Sequence, residues 1–303
     1  MSLTSTFSHQ TVLRDELVDA IKPRAGEVFV DCTLGGGGHA EALLRAADCS
    51  VIGIDRDPAA LTAASDRLVA FGDRFQTHRG SFSNIAEILN VQGIARVDGV
   101  VADLGFSSPQ IDRADRGFSF RFSGPLDMRM DPSAPLDAAT VVNMWPEAQL
   151  ADIIRDYGEE RRFRSVAQAL VAGRPWHDTL QLAEAVSKVV GTREQHRIHP
   201  ATRTFQALRI AVNDELGELR RLLPAAMTSV RAGGRIAIIS FHSLEDRIVK
   251  QFFAHAAAKD AERDPYGNPV RAAKLTLYPS VTADAAQNPR ARSARLRAAL
   301  RLP

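Results

Sequence analysis

The chain has 303 residues, of which 45% are hydrophobic and 24% are charged, and its formal net charge is +2. This length suffices for one large domain or two smaller ones, and the composition is ordinary for a globular protein. No apolar run approaches the roughly 20 residues that a membrane span needs, and residues 1–10 do not have the form of a secretory signal. Cys32 and Cys49 lack metal-ligand spacing and are expected to be reduced structural thiols. We therefore expect a cytoplasmic protein.

Positive charge is concentrated in two stretches of a chain whose overall charge is close to zero. The first lies within residues 288–303, which contain no acid, and its arginines are Arg290, Arg292, Arg295, Arg297 and Arg301. The second follows two glutamates and contains Arg161, Arg162 and Arg164. Arginine side chains suit phosphate groups, but a basic tail is most often only solvated. Charge alone therefore does not indicate a nucleic-acid-binding protein.

A short apolar run, a glycine-rich turn and a helical pattern follow one another in residues 27–47. Residues 28–30 are apolar and end at Asp31, residues 35–38 are all glycine, and residues 39–47 have a helical pattern. This order of strand, turn and helix opens the nucleotide site of doubly wound α/β proteins. Glycines in such a turn allow positive φ and a close approach of the ligand to the backbone.

Two classes of ligand fit this turn. Gly35, Gly37 and Ala40 can be aligned with the dinucleotide fingerprint, which leaves NAD or FAD open. The acid Asp31 before the turn favours S-adenosylmethionine (SAM) instead. A second strand, residues 50–54, is followed by Asp55, whose carboxylate fits the ribose hydroxyls that both ligands carry. A plain turn with a solvated Asp55 is the remaining alternative.

Further strands are predicted at residues 75–78, 97–103 and 235–240, and their alternation with helices predicts a mainly parallel sheet. Asp103 ends the fourth strand, at the edge where ligands bind in open α/β sheets. We prefer a functional role for Asp103 over a role as a turn former. Phe82 follows the third strand and lies either against an adenine ring or under the next helix.

The regular alternation stops near residue 110. Residues 111–131 form a long loop rich in arginine and aromatic side chains, which can stack on a base or hold phosphates. Residues 138–190 are helical and predict a small helical domain inserted between the fourth and fifth strands. A long helix that begins near His199 and continues to about residue 230 should be kinked or divided at Pro224.

Two local patterns have structural explanations. His196 and His199 have the spacing of metal ligands on a turn, but no third ligand lies nearby, so we expect no metal. Residues 243–246 have the form of a helix-capping box that begins at Ser243. His242 precedes this box at the ligand edge, and its role is left open between structure and function.

Taken together, these stretches resemble one family, the bacterial ribosomal RNA small-subunit methyltransferase H, also called MraW. The match is carried, in chain order, by residues 9–17, 31–39, 54–57, 103–110, 116–120, 124–131, 199–216, 240–249 and 288–290. They span nearly the whole chain, and together they are highly specific although each alone is weak.

The resemblance implies a SAM-dependent enzyme that methylates the exocyclic N4 of a cytidine in the decoding region of 16S ribosomal RNA. It implies the fold of a class I, Rossmann-like α/β methyltransferase with an inserted helical domain. Carried over by position, SAM binding falls to Gly37, Gly38, His39, Asp55, Phe82, Asp103 and Gln110. The implied partner is 16S ribosomal RNA within the small subunit, with no membrane contact; the oligomeric state is left open, with a dimer as one option.

Asp103 is our candidate catalytic residue, and substrate contacts are expected from Arg116, Phe118, Arg129, His242 and Arg290. One feature departs from amino-methyltransferases, in which an acid or Asn precedes two prolines and an aromatic residue. Here the sequence is Asp103-Leu104-Gly105-Phe106. The acceptor for the amine is therefore either Asp103 or a backbone carbonyl of residues 104–107.

We divide the chain into a methyltransferase core, residues 1–110 and 200–303, and an inserted loop and helical domain, residues 111–199, in which we expect an RNA contact. Two other functions stay open at this point. A NAD-dependent oxidoreductase would keep the glycine turn but leave the loop 116–131 and the basic tail unexplained. A non-catalytic RNA-binding factor would keep the basic surfaces but would not need the acidic ligand edge.

Overall fold

The computed structural model describes residues 11–105, 110–111, 113–191, 198–284 and 292–303. The chain folds into two compact units. We call residues 1–105 and 217–303 the core unit, and residues 106–216 the inserted unit.

The described residues form strands and α-helices with the following bounds. The strands are β1 (Val28–Asp31), β2 (Ser50–Asp55), β3 (Phe75–Arg79), β4 (Val97–Asp103), β5 (Val230–Ser240), β6 (Leu275–Leu277), β7 (Val281–Thr282) and β8 (Arg295–Arg301). The helices are α1 (Arg14–Ile21), α2 (Gly38–Ala46), α3 (Pro58–Leu68), α4 (Ile85–Val91), α5 (Ala138–Met144), α6 (Glu147–Asp156), α7 (Phe163–Ala172), α8 (Thr179–Val190), α9 (Thr202–Asn213), α10 (Glu215–Ser229) and α11 (Ser243–Ala256).

All the strands belong to one sheet in the core unit, in the order β3-β2-β1-β4-β5-β8-β6, with β7 paired to β8. Strands β1 to β5 pair in parallel, and β8 runs antiparallel to its neighbours. Alternate residues of β5 contribute to different hydrophobic clusters, Ile236 and Ile238 to one and Ala237 and Ile239 to the other. Because successive side chains of a strand point to opposite faces, the sheet is covered on both faces. The predicted doubly wound α/β core is confirmed.

Three of the C-terminal arginines, Arg295, Arg297 and Arg301, are part of this sheet and not of a solvated tail. Arg297 in β8 donates to both carboxylate oxygens of Asp246, at 2.7 and 3.1 Å. Arg301 Nη1 donates to the carbonyl oxygen of Met227 at 2.7 Å. Leu296 and Ala298 alternate with the arginines and are buried, as expected for a strand with one apolar face. The sequence prediction missed this strand.

The inserted unit contains helices α5 to α9 around one hydrophobic cluster. Leu150, Leu170 and Leu182, from three different helices, are completely buried in it. The apolar face of α9, which includes Phe205 and Leu208, belongs to the same cluster. The division predicted from the sequence, at 110/111 and 199/200, assigns α9 to the core, whereas the compact units divide at 105/106 and 216/217.

The predicted long helix after His199 is divided at Asp214 and not at Pro224. Asp214 has a φ of 49°, and α10 continues through Pro224. The side chain of Asn213 accepts from the Met130 amide and donates to the Met128 carbonyl, both at 2.8 Å. These bonds fix the end of α9 to a distant loop, which local sequence patterns do not reveal. Within the part of the chain that the structure describes, no helix is long and apolar enough to cross a bilayer.

Candidate active site at the carboxyl edge of the sheet

Three aspartates end three neighbouring strands. Asp31, Asp55 and Asp103 are the last residues of β1, β2 and β4, and β1 pairs with both other strands. Because these strands run parallel, the three side chains meet at one edge of the sheet, as predicted from the sequence.

Asp31 is the most buried of the three, with 1% of its surface exposed. Burial raises its pKa to about 7, the charge of Asp55 adds to this rise, and the backbone amides of Thr33 and Ala40 oppose it. Oδ1 accepts a hydrogen bond from the Thr33 amide at 3.1 Å. Oδ2 is buried and has no hydrogen-bond partner among the described residues. This carboxyl group is therefore poised to receive a donor, and above all a cationic one.

Asp55 shapes the glycine turn. Its Oδ2 accepts from the Gly35 amide at 2.8 Å and its Oδ1 from the Asp57 amide at 2.9 Å. Burial raises the pKa of Asp55, and the two amides oppose that rise. A carboxylate offers about four acceptor positions, so both oxygens can also receive hydroxyl groups.

Asp103 is held by its backbone and has an unused side-chain oxygen. Its amide donates to Thr33 Oγ1 at 2.5 Å, whereas Oδ1 is buried and unpaired within the described structure. Burial, followed by the like charges of Asp31 and Glu245, raises the pKa of Asp103 well above its usual range. The side chain as a whole is 27% exposed, so the residue is not sealed off from a ligand.

His39 lies beside Asp103 in a defined tautomer. Its Nε2 is 3.0 Å from the Val12 carbonyl oxygen, which can only accept, so Nε2 carries a proton. Its Nδ1 is 3.7 Å from Asp103 Oδ2, beyond the usual length of a hydrogen bond. In the neutral ring, Nδ1 is therefore an acceptor that faces the Asp103 carboxyl group.

Two of the glycines are required by protein packing. Gly37 has a φ of 76° at the start of α2, and a Cβ there would lie 3.0 Å from Leu68 Cδ1. A Cβ on Gly38 would lie 2.1 Å from Thr11 Oγ1. Any larger residue at Gly38 would therefore displace Thr11, independently of a ligand.

The other two glycines of the turn border open space. A Cβ on Gly35 would have the Thr33 carbonyl oxygen as its nearest neighbour, at 3.8 Å, and one on Gly36 would meet nothing within 4 Å. Gly35 also has a φ of 50°, which disfavours other residues. This half of the turn leaves room for a ligand to approach the backbone.

Phe82 has the packing role that the sequence left as one of two options. It is partly buried against a cluster that contains Ile85 and Leu89 of the next helix. The guanidinium group of Arg56 lies over its ring, with Cζ 5.6 Å from the ring centroid. Contact of Phe82 with an adenine ring stays a prediction.

Glu218 ties the loop after β3 to α10 and was missed from the sequence. It accepts from the Ser81 hydroxyl and, at 2.8 Å, from Arg221 Nη2. Burial by itself raises the pKa of Glu218, but hydrogen bonds from Ser81, Ser83 and Arg221, with the charge of Arg56, lower it overall. No local signal reveals this pairing, because Ser81 and Glu218 are far apart in sequence.

The capping box of α11 begins one residue earlier than predicted. His242, and not Ser243, is the N-cap, and its ring accepts from the Glu245 amide at 3.5 Å. Glu245 is buried and accepts from the amides of Phe241 and His242, at 2.8 and 3.3 Å. The ring of His242 therefore has a structural role, while its contact with substrate stays a prediction.

The candidate substrate residues of the inserted unit are bound to their own loop. Arg129 forms two hydrogen bonds with the Asp127 carboxylate, at 2.9 and 2.7 Å, and Arg116 donates to the carbonyls of Arg129 and Met130, at 2.9 and 3.2 Å. Phe118 packs against the inserted unit's cluster, with Arg116 Cζ 5.9 Å from its ring centroid. These side chains build the loop, and their contact with RNA stays a prediction.

Three further candidates complete the set. Gln110 belongs to the inserted unit and is 5% exposed. Arg290 and His196 lie outside the described residues. No group of three or more His, Cys, Asp or Glu side chains that could hold a metal is found where side chains are described.

The sheet order, the glycine turn and the acidic edge belong to the class I, Rossmann-like α/β fold of SAM-dependent methyltransferases. The sequence profile of the MraW methylase family matches residues 6–302. The chain belongs to this family, as the resemblance of its motifs predicted.

Close relatives match the chain along its whole length. A protein of Geobacter sulfurreducens is 50% identical over 311 residues, covering 98% of this chain and 100% of the relative. One of Rhodospirillum centenum is 52% identical over 307 residues, covering 97% and 92%, and one of Synechococcus elongatus is 49% identical over 305 residues, covering 99% and 97%. Each of these relatives bears the name ribosomal RNA small subunit methyltransferase H.

Proposed function

We propose that this protein transfers a methyl group from SAM to the exocyclic N4 of a cytidine in the decoding region of 16S ribosomal RNA. The observation that carries the proposal is the set of carboxylates at the sheet edge, Asp31, Asp55 and Asp103, in which two buried oxygens have no hydrogen-bond partner among the described residues. Family membership supplies the reaction class, and the names of the relatives point to ribosomal RNA.

The charge of this edge favours SAM over a dinucleotide. SAM supplies an activated methyl group on a positively charged sulfonium and also carries an ammonium group. Buried carboxylates with raised pKa values gain from a nearby cation, whereas the pyrophosphate of NAD would add negative charge to them. The NAD-dependent alternative is therefore disfavoured.

The side chains divide the work of binding SAM. Asp31 Oδ2 receives the ammonium group, Asp55 receives the ribose hydroxyls, and the open side of Gly35 and Gly36 admits the ligand. Of the residues carried over from the family, Gly37 and Gly38 act by shaping the turn. His39, Phe82, Asp103 and Gln110 complete the proposed set.

Asp103 acts on the target amine. The N4 lone pair of cytosine is delocalised into the ring, so the amine is a poor nucleophile and must be oriented. Ionised Asp103 accepts a hydrogen bond from the amine and takes up the proton that N4 loses when it gains the methyl group. The Nδ1 lone pair of His39, 3.7 Å from Asp103 Oδ2, favours retention of that proton. The target base must leave its stack to reach this edge.

Methyl-labelled SAM tests the proposal. Small subunits from a strain that lacks this gene are incubated with the protein and labelled SAM, and the RNA is digested to nucleosides. We expect label in N4-methylcytidine at one decoding-region position. Label in a different nucleoside would keep the enzyme class and overturn the substrate, whereas absence of both SAM binding and label would favour the non-catalytic RNA-binding alternative.

A further inference from the structure

A basic groove lies within the inserted unit, whereas the acidic edge belongs to the core unit. It has a volume of about 380 Å³ and lies where residues 160–162, the end of α8 and residues 198–203 come together. Its lining combines cationic and apolar groups.

Three arginines line this groove. Arg161 is exposed and makes no hydrogen bond or ion pair with a described residue. Arg162 Nη1 donates to the Val189 carbonyl at 2.7 Å, and Arg203 Nη1 donates to the Glu159 carbonyl at 3.0 Å. A guanidinium group has five N–H donors, so each of these bonds fixes an arginine and leaves donors for an anion.

The acid of the groove does not neutralise these cations. Glu160 is 7% exposed, and its Oε1 accepts from the backbone amide of Arg162 at 2.9 Å. The carboxylate is thus turned toward the backbone. Among the lining residues that the structure describes, three guanidinium charges face one carboxylate charge, which leaves a positive balance.

His199 adds a neutral donor. Its Nδ1 accepts from the Ala201 amide at 3.2 Å, so the proton of the neutral ring lies on Nε2. The ring packs against Phe120, with the centroids 4.6 Å apart, and the residue remains exposed. The turn and the aromatic contact therefore hold an N–H group at the groove.

The remaining lining residues are apolar, and they indicate a ligand that has apolar surface as well as negative charge. Ile198 is 50% exposed, and Val190 and Pro200 line the groove beside it. Inorganic phosphate has no surface to place against these side chains, whereas a phosphodiester carries a ribose and a base. Single-stranded nucleic acid is bound elsewhere by cations along the backbone together with aromatic side chains under the bases; in this groove the aliphatic lining provides the apolar surface.

We propose that this groove binds a single-stranded sugar–phosphate segment of the RNA substrate, with Arg161, Arg162 and Arg203 on the phosphates. This inference rests on the proposed function, because it assigns the groove to the RNA that is methylated. It makes the groove an affinity site and assigns it no part in the methyl transfer.

Arg161→Gln tests the groove, since Arg161 makes no hydrogen bond or ion pair with a described residue whose loss would disturb the fold. Arg155→Gln is the matched control, because Arg155 lies in the same unit but already pairs with Asp152 and Asp156. Binding of RNA from undermethylated small subunits is measured as a function of KCl concentration. For Arg161→Gln we expect weaker binding and a salt slope reduced by about one, with SAM affinity and kcat unchanged. For Arg155→Gln we expect the wild-type slope.

Three outcomes separate the two proposals. An unchanged salt slope in Arg161→Gln, with normal methylation, would overturn the groove and leave the proposed function standing. A reduced slope in a protein that does not methylate N4 would support the groove and overturn the function. Saturable binding of inorganic phosphate that is lost in Arg161→Gln, together with an RNA salt slope that this variant leaves unchanged, would identify a free-phosphate site and overturn the RNA assignment.

Discussion

Asp31 makes the stability of the ligand-free protein depend on pH. Its pKa is about 7 in the folded state and near its usual value of 3.8 in the unfolded state. Between these values the folded state holds a proton that the unfolded state has lost, so stability falls as pH rises from about 4 to about 7. We expect Asp31→Asn to remove part of this fall. The free energy of unfolding is measured with urea at several pH values. The control is Asp66→Asn, a substitution at an exposed residue, which should keep the wild-type pH dependence of stability.

The same carboxyl group predicts how SAM affinity depends on pH. Asp31 must lose its proton to pair with the ammonium group, so we expect affinity to fall by up to about tenfold for each pH unit below 7. Calorimetric titration with SAM measures this dependence. Asp31→Asn should bind SAM weakly at every pH and should flatten the curve. A curve of wild-type shape in this variant would assign the proton to another group.

Asp103 gives a prediction about turnover. We expect Asp103→Asn to reduce kcat by about 100-fold or more, since an amide cannot take up the amine proton. SAM affinity, measured in parallel, should change far less. Because the pKa of Asp103 is raised, kcat of the wild type should increase with pH as this group ionises. Full turnover by Asp103→Asn with retained SAM affinity would shift the role to a backbone carbonyl of residues 104–107.

The acids of the site were predictable one by one, but their environment was not. Asp31, Asp55 and Asp103 each follow an apolar run, and the topology of parallel strands brings such residues to one edge. The contact of His39 with Val12 and the charge of Glu245 near Asp103 join segments that are distant in sequence. Local patterns contain no information on such pairs.

At the scale of elements, Asn213 links α9 to the loop 128–130. It is 7% exposed and bonds both the Met128 carbonyl and the Met130 amide. We expect Asn213→Ala to lower the free energy of unfolding by about 2–4 kcal/mol, because it leaves two buried backbone groups unpaired. Chemical denaturation followed by tryptophan fluorescence measures the change. Gln149→Ala, at an exposed glutamine of the same unit, should have little effect.

Two elements show why the sequence misled. Residues 295–301 alternate arginines with Leu and Ala, and without their partner Asp246 the arginines resemble a solvated tail. The break at Asp214 occurs in a residue other than glycine, held in the left-handed region by bonds around Asn213. In contrast, β1 to β4 were predicted closely, because buried parallel strands are continuous apolar runs with clear ends.

The whole molecule has separate hydrophobic cores in its two units. Two hydrophobic clusters lie in the core unit, and one lies in the inserted unit, where its buried members are individual residues between Leu126 and Val212. Trp145 and Trp176 are the only tryptophans, and both pack against the cluster of the inserted unit. Tryptophan fluorescence therefore reports on the inserted unit, whereas far-ultraviolet circular dichroism reports on the helices and strands of both.

We expect the two signals to give different unfolding transitions, because each unit buries its own apolar side chains. Saturating SAM should raise the midpoint of the circular dichroism transition, since its proposed residues lie mainly in the core unit. The fluorescence midpoint should move less. Coincident curves with and without SAM would show that the chain unfolds as one cooperative body.

The cysteines provide the complementary probe. Cys32 and Cys49, the only thiols of the chain, are both about 1% exposed in the core unit, and burial raises the pKa of each. A thiol in that state reacts with an alkylating reagent only when the surrounding structure opens. The rate of alkylation at Cys32, next to Asp31, therefore measures how often the strand that carries the candidate site opens transiently. The inserted unit thus carries the tryptophans and the core unit carries the thiols, so opening of each unit can be followed separately through its native side chains.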